Sequence, residues 1–363
     1  AGNTNTAAAT QFAFTHDATK PTLNIAISSD GSGSSSIADD TISLTITASE
    51  SVTGLVCTIG GQSTTMGGSG TSWTSSRTLT GAENTQIFSC GSHTDAAGNV
   101  GDDDTTANSG SVSFDFTAPT LTIAMTTSGN SGYAKVGNTI TLTITASESV
   151  TGLACTIDGE TATMTGSGTS WSAALTISGD ETAGAAAFSC GSHTDAAGNA
   201  GATDTDANTG SVIIDYTVAT PSEATAATTP TTDSTPDVVI SVAEAGTIAV
   251  GGTTGCGLGS TSSMSSGSNT LTLSTNGDKA YVCTVTFTDA AGNTASALSL
   301  TSFTVDTTAP TTTIAYSGSS PATGSTFAVS ITFSESVTGF TASEVVLSSG
   351  SATLSGSGTT YTA

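Results

Sequence analysis

Basic residues are almost missing from this chain. Only 4 Lys plus Arg stand against 29 Asp plus Glu, giving a formal net charge of −25 at pH 7. Such a chain repels nucleic acid and anionic membranes and attracts divalent cations. Its acidity keeps it soluble where salt screens self-repulsion. Aromatic residues make up 5 % and hydrophobic residues 36 % of 363 residues. That is too little for one large core, but it suits three or four small domains. No run approaches the roughly 18 apolar residues of a membrane helix, so this segment has no membrane insertion. No C-x-x-C pair occurs, which disfavours zinc and thioredoxin-like chemistry. No N-x-S/T acceptor occurs either, although Ser and Thr abound, so N-linked glycan is not expected. A phosphate loop, an H-E-x-x-H helix and a dinucleotide fingerprint are all absent. Ser92, His93 and Asp95 carry the letters of a triad, but they are near-neighbours on one strand. A working triad converges from separate segments, so no enzyme is expected.

What is present is repetition. ASESVTGLVCTIGG at 48–61 returns as ASESVTGLACTIDG at 146–159, and CGSHTDAAGN occurs at 90–99 and 190–199. The offset is 98 residues at Cys57 and Cys155 and 100 at Cys90 and Cys190. A period this long means tandem domains rather than a solenoid of short units. Junctions carry D-x-T-x-P, at Asp17 to Pro21, Asp115 to Pro119 and Asp306 to Pro310. The third junction is irregular, with Asp215 at its start and a second copy at Asp233. The expected division is a C-terminal end of a preceding domain at 1–19, complete twins at 20–117 and 118–217, a divergent domain at 218–307, and the N-terminal half of a further domain at 308–363. On this reading the chain begins and ends inside domains, and Phe12 and Phe14 share one phase of a last strand.

TISLTITASE alternates, with Ile42, Leu44, Ile46 and Ala48 on one face and Thr41, Ser43, Thr45 and Thr47 on the other. This is a half-buried strand. Leu142 and Ile144, Ile240 and Val242, and Ile331 and Phe333 keep the same phase. No helical periodicity competes with it. Short strands between Gly-, Ser- and Asn-rich turns predict an all-β chain of end-to-end β-sandwiches, about seven strands each. Trp73 and Trp171 are expected in the cores. The repeat pairs the six cysteines within domains: Cys57 with Cys90, Cys155 with Cys190 and Cys256 with Cys283. In the twins each pair shares the inward phase of its strand. Cys256 and Cys283 are displaced from that pattern, which predicts a bridge between different strands. Disulfides place the chain in an oxidising compartment, outside the cell or at its surface.

S-E-x-V-T-G, D-A-A-G-N and D-x-T-A-P-T, in fixed order and repeated, resemble the tandem bacterial Ig-like repeats of giant surface proteins and adhesins. The resemblance covers nearly the whole chain. It implies Ig-like sandwiches in an extracellular stalk, adhesive filament or surface layer, commonly with calcium at domain junctions. In an Ig-like sandwich the strands ending at Glu50 and Asp95 run to the pole where the connector brings Asp17. Three carboxylates brought together repel one another unless a cation joins them, and hard oxygen ligands suit Ca²⁺. Asn99 adds an amide oxygen, and Gly98 permits the turn. The equivalent expected ligands are Asp115, Glu148, Asp195 and Asn199, then Asp233 or Asp215 with Glu244, Asp289 and Asn293. Asp306 and Glu335 form an incomplete fourth set. The rival reading of D-A-A-G-N is a plain turn with local hydrogen bonds.

The expected function is therefore a non-catalytic array acting as a structural stalk or adhesive spacer. Its partners would be neighbouring repeats or copies and a surface glycan or protein. The alternative is a self-assembling subunit of a filament, sheath or surface layer, completed by strand exchange between split terminal domains. A glycan-binding module would need an exposed aromatic cluster, for which the sequence offers few candidates, Tyr133 and Tyr216 among them.

Overall fold

A computed structural model describes residues 14–32, 35–252, 255–259, 262–316 and 326–363. Phe12 and most of the expected N-terminal tail lie outside the described residues. The described residues are strands and loops apart from one 3-10 turn, Ala342–Glu344. No helix among them is long and apolar enough to cross a membrane. The chain divides into two units, Ala1–Tyr216 and Thr217–Ala363.

The first unit holds two cores, one formed by residues between Leu23 and Phe116 and one by residues between Leu121 and Tyr216. In the first module, strand Thr41–Val52 pairs antiparallel with Leu23–Ser29 and with Thr65–Thr78. Its alternation decides which face is covered: Ile42, Leu44, Ile46 and Ala48 are buried, while Thr45 and Thr47 are exposed. Register sets Ile46 between Ile25 and Trp73, so the three strands share one apolar face. A second sheet supplies Cys57, Ile59, Phe88 and Cys90 to the same core, and the loop before it supplies Leu55. The closing segment runs parallel to the first strand, with Ala26 bridged to Ser109 and Ser36 to Phe114. Asn108 fixes that approach. Its Oδ1 accepts the Ile25 N–H at 2.7 Å, and its own N–H reaches the Ile25 carbonyl at 2.8 Å. Asn208 accepts from Ile123 in the twin at 2.6 Å.

Trp73 and Trp171 pack partly buried against their cores, each donating its indole N–H to a glycine carbonyl, Gly70 at 3.0 Å and Gly168 at 2.9 Å. Tyr216 packs on the second core and donates its hydroxyl to the Glu181 carbonyl, and Tyr133 is half-buried in a strand. Neither tyrosine is fully exposed.

The three expected disulfides are present. In the twins the cysteines sit directly opposite in neighbouring strands of one sheet, with Cα atoms 4.0 Å apart. Gly91 N–H bonds the Val56 carbonyl at 2.9 Å, which leaves Cys57 and Cys90 at the close, non-hydrogen-bonded position beside it. In the third module Cys256 precedes the short strand Gly257–Leu258 of one sheet, whereas Cys283 opens strand Cys283–Asp289 of the other, and the Cα atoms lie 5.7 Å apart. The displaced spacing in the sequence reflects this bridge between sheets.

One paired difference between the twins exposes the energetics of their cores. Buried Ser75 donates to Thr64 Oγ1 at 2.5 Å, and Thr64 donates to the Cys57 carbonyl at 2.8 Å. The second module has buried Ala162 and Ala173 at these positions. Both hydroxyls together, or neither, leave no unpaired hydroxyl at this spot. Thr64→Ala alone strands Ser75 and is expected to destabilise the first module by about 1–3 kcal/mol. Adding Ser75→Ala should recover part of that loss. Urea unfolding of both single variants and the double variant measures the coupling, and purely additive losses would refute it.

In the second unit, the third module builds its core around Ile240, Leu271, Leu273, Tyr281, Val285, Phe287 and Phe303. Tyr281 is fully buried and stacks on Phe303 with ring centroids 5.4 Å apart. The last segment is a three-stranded sheet of Thr312–Tyr316, Val329–Val337 and Ser355–Thr362. Ile314 pairs with Ile331 as Ile25 pairs with Ile46, but Ile314 is 67 % exposed where Ile25 is 0 %.

Candidate cation sites at the module seams

Each connector is first bent on itself. Asp17 Oδ1 accepts the Thr19 N–H at 3.0 Å, and Asp115 Oδ1 accepts that of Thr117 at 3.1 Å. These are Asx turns, which need the acid two residues before the threonine. The connector is then tied to the strand that carries the S-E pair. Thr22 N–H donates to Ser49 Oγ at 3.0 Å, and Ser49 N–H returns to the Thr22 carbonyl at 2.9 Å. Thr120 and Ser147 repeat this pair of bonds, as do Thr311 and Ser334 in the second unit. The serine of S-E thus holds the connector, which leaves the following glutamate beside it.

The D-A-A-G-N turn supplies the third wall. Asp95 Oδ1 accepts the Asn99 N–H and Oδ2 accepts the Asn99 side-chain amide, both at 2.8 Å. Gly98 takes φ +95°, a left-handed conformation that glycine adopts without strain. The same Asn99 amide donates to the Asp17 carbonyl at 3.3 Å, and Asn199 donates to the Asp115 carbonyl at 2.9 Å. Both asparagines therefore spend the amide nitrogen on the turn and the connector at once.

These ties bring the acids together. Asp17, Glu50 and Asp95 present carboxylate oxygens all within 4.8 Å of one another, and so do Asp115, Glu148 and Asp195. Asp95 and Asp195 are buried. Hydrogen bonding to the Asn99 side chain leads the causes that hold Asp95 below its ordinary range. Asp195 is lowered too: burial opposes ionisation, but bonds from Asn199 and the turn N–H groups prevail. Glu50 moves the other way, raised first by desolvation and then by the charges of Asp95 and Asp17. Glu148 is raised by desolvation, Asp195 and Asp115. One acid in each group is thus stabilised as an anion while its neighbour is strained by that anion. A cation bound among them would relieve the strain. The donor set is all oxygen, which fits a hard ion such as Ca²⁺.

In the second unit the Asp289 turn is built alike, with Asn293 N–H on Asp289 Oδ1 at 2.8 Å and its amide on Oδ2 at 2.9 Å. Glu244 follows Ala243 rather than a serine, and it accepts the connector N–H of Ala219 itself. Asp215 stands next to the last residue of the first unit, its N–H bonded to the Ala134 carbonyl at 2.8 Å. Asp233, offered by the sequence as a ligand beside Glu244, stands elsewhere. It accepts from Thr235, and strand Asp237–Val242 runs its full length between it and Glu244. Its D-x-T-P spelling makes a local turn and no more. Asp306 and Glu335 do meet: Glu335 is raised by desolvation and by the charge and side-chain hydrogen bond of Asp306.

Three features of this region escaped the sequence. His93 and His193 are 1 % exposed. Each fills a slot that a glycine leaves open, since a Cβ on Gly101 or Gly201 would lie 2.2 or 2.1 Å from the ring. Asp278, in the loop between strands Gly267–Ser274 and Lys279–Tyr281, accepts from the N–H and hydroxyl of Thr307 and the hydroxyl of Thr308, so it grips the last connector. Glu83 is a buried carboxylate paired with Arg77 at 3.1 Å. Burial opposes its ionisation, but bonds from Thr80 and Arg77 outweigh it and bring Glu83 from 4.5 down to about 2. A lowered folded pKa contributes stability above the unfolded value that is lost as pH falls through the folded one. The first module should therefore lose stability between pH 4.5 and about 2, and Glu83→Gln should flatten that loss. Acid titration followed by Trp73 fluorescence in a Trp171→Phe background measures it, and an unchanged slope would refute the assignment.

Paired sheets, Ig-like pole geometry and the parallel first and last segments define an all-β chain of tandem Ig-like sandwich domains. Residues 306–363 match the family model described as Bacterial Ig-like domain. No curated protein matches the chain. Among solved structures, it is similar to a tandem of titin domains at 9 % identity and TM-score 0.27, covering 77 % of this chain and 98 % of that one. It is similar to fibronectin(III)-like modules of Clostridium thermocellum CbhA at 12 % identity and TM-score 0.24, covering 53 % and 94 %. A third is Bacteroides ovatus SGBP-B in complex with a mixed-linkage heptasaccharide, at 16 % identity and TM-score 0.18, covering 85 % and 76 %.

Proposed function

We propose that this chain is a non-catalytic Ig-like repeat array of a long secreted or cell-surface protein, acting as a structural stalk or adhesive spacer. Ca²⁺ at the connectors would stiffen it. The observation that carries the reading is the repeated seam of the first unit, where serine, asparagine and three carboxylates gather on a connector of a few residues. A short connector tied at both ends restricts bending, and a bound cation would restrict it further by joining linker to module. Intramolecular disulfides and an acidic composition suit an extracellular setting.

A second reading is a self-assembling filament subunit. Exposed Ile314 and Tyr316 on the last sheet favour it, because a strand from another copy would cover that face. Negative-stain microscopy of the purified chain, with Ca²⁺ and with chelator, tests both. The spacer predicts discrete rods that bend more in chelator. Regular polymers would overturn it in favour of the subunit.

A further inference from the structure

We propose that Asn276 is a site of spontaneous backbone modification, converting to isoaspartate and loosening the grip of the third module on the connector that follows it. Asn276–Gly277 is the one Asn-Gly pair in the sequence. The reaction needs the Gly277 nitrogen to reach the Asn276 side-chain carbon. Any Cβ on the second residue hinders that approach, and glycine has none.

The surroundings permit it. Asn276 and Gly277 are exposed, and nothing lies within 4 Å of the position a Gly277 Cβ would take. Among the described residues, neither the Asn276 side chain nor the Gly277 N–H has a hydrogen-bond partner, although the Asn276 N–H bonds Tyr281 Oη at 2.6 Å. Several other asparagines are held. Asn99, Asn199 and Asn293 donate their amides to an aspartate, and Asn108 and Asn208 accept a strand N–H. Each of these is followed by a residue with a side chain.

The chemistry balances without a catalyst or oxidant. The Gly277 nitrogen gives its proton to solvent base and bonds to Asn276 Cγ. The tetrahedral adduct expels ammonia and leaves a five-membered succinimide. Water then opens the ring at either carbonyl, yielding aspartate or isoaspartate. The isoaspartyl product carries one extra methylene in the main chain and places a new carboxylate next to Asp278.

Its position gives the change a consequence. Tyr281, fully buried, spans this turn, accepting from Asn276 N–H and donating to the Gly277 carbonyl at 2.8 Å. Asp278 holds Thr307 and Thr308 with bonds of 2.6–3.0 Å. Lengthening the chain between Asn276 and Gly277 shifts both attachments. The added charge also repels Asp278, Asp306 and Glu335, which lie together there.

The test is to age the whole purified chain at mildly alkaline pH beside Asn276→Gln, whose longer side chain cyclises poorly. Peptide mapping with isoaspartyl methyltransferase labelling locates the product. Limited proteolysis reads connector 306–311. Isoaspartate should form at residue 276 an order of magnitude faster than at Asn130 or any other asparagine, and cutting of the connector should rise with it in the wild type only. Equal rates at other asparagines would overturn the site. Equal cutting in aged Asn276→Gln would overturn the loosening.

Discussion

Removing the Cys155–Cys190 bridge is expected to destabilise the second module by about 4 kcal/mol. Its two cysteines are 35 residues apart, and a cross-link over such a loop removes chain entropy from the unfolded state on that order. The module has little else with which to offset the loss, since its core rests on residues such as Ile123, Leu142, Ile144 and Ile157 with few aromatics. Small domains hold only about 5–15 kcal/mol in all, so the loss is a large share. Cys155→Ala with Cys190→Ala is the cleaner test, because a single substitution leaves a reactive thiol. Thermal unfolding should show one transition falling well below the rest. A double variant melting with the wild type would mean that the bridge stabilises nothing that packing does not already hold.

Saturating Ca²⁺ is expected to stabilise the first unit by about 3 kcal/mol per occupied site at a hundredfold excess over its dissociation constant. Glu50 and Glu148 give this prediction a sign that a generic acidic surface would lack. Both are raised in the folded state, so without metal the fold gains stability as pH falls from neutral through their pKa values. With bound Ca²⁺ the dependence should reverse, because protons then displace the cation. Glu50→Gln and Glu148→Gln together should raise metal-free stability and abolish the Ca²⁺ response. Melting curves in Ca²⁺ and in chelator, at neutral and mildly acid pH, contain all four arms. No Ca²⁺ effect at neutral pH, or the same effect in the double variant, would defeat the cation reading and leave the turns as plain turns.

The sandwich was legible because its strands alternate over a period long enough to fix phase. Ile42, Leu44 and Ile46 could face only one way, and the repeat then dictated Cys57 with Cys90. The approach of Asp17, Glu50 and Asp95 was legible for a related reason, since strand direction carries a residue to a known pole. What failed to show was anything decided by neighbours far along the chain. Asp233 imitates a junction acid in spelling, yet its place depends on which end of strand Asp237–Val242 the loop reaches. Asp278 sits exposed in a short loop, and its role comes only from Thr307 and Thr308, 29 and 30 residues further on. His93 packs into space that Gly101, eight residues on, leaves open by lacking a side chain. Ser49 and Ser147 were read as part of a motif, without the connector bonds that explain why serine stands there.

The parallel run of the first and closing segments in each twin bears on how a tether would carry load. Ends drawn apart would slide Leu23–Ser29 against the stretch around Ser109, straining several backbone bonds simultaneously instead of peeling them one after another. Should they rupture, the 33-residue span closed by Cys57 and Cys90 stays locked, withholding about 110 Å of contour from extension. Such a module would yield late under force and then lengthen by less than one without the bridge.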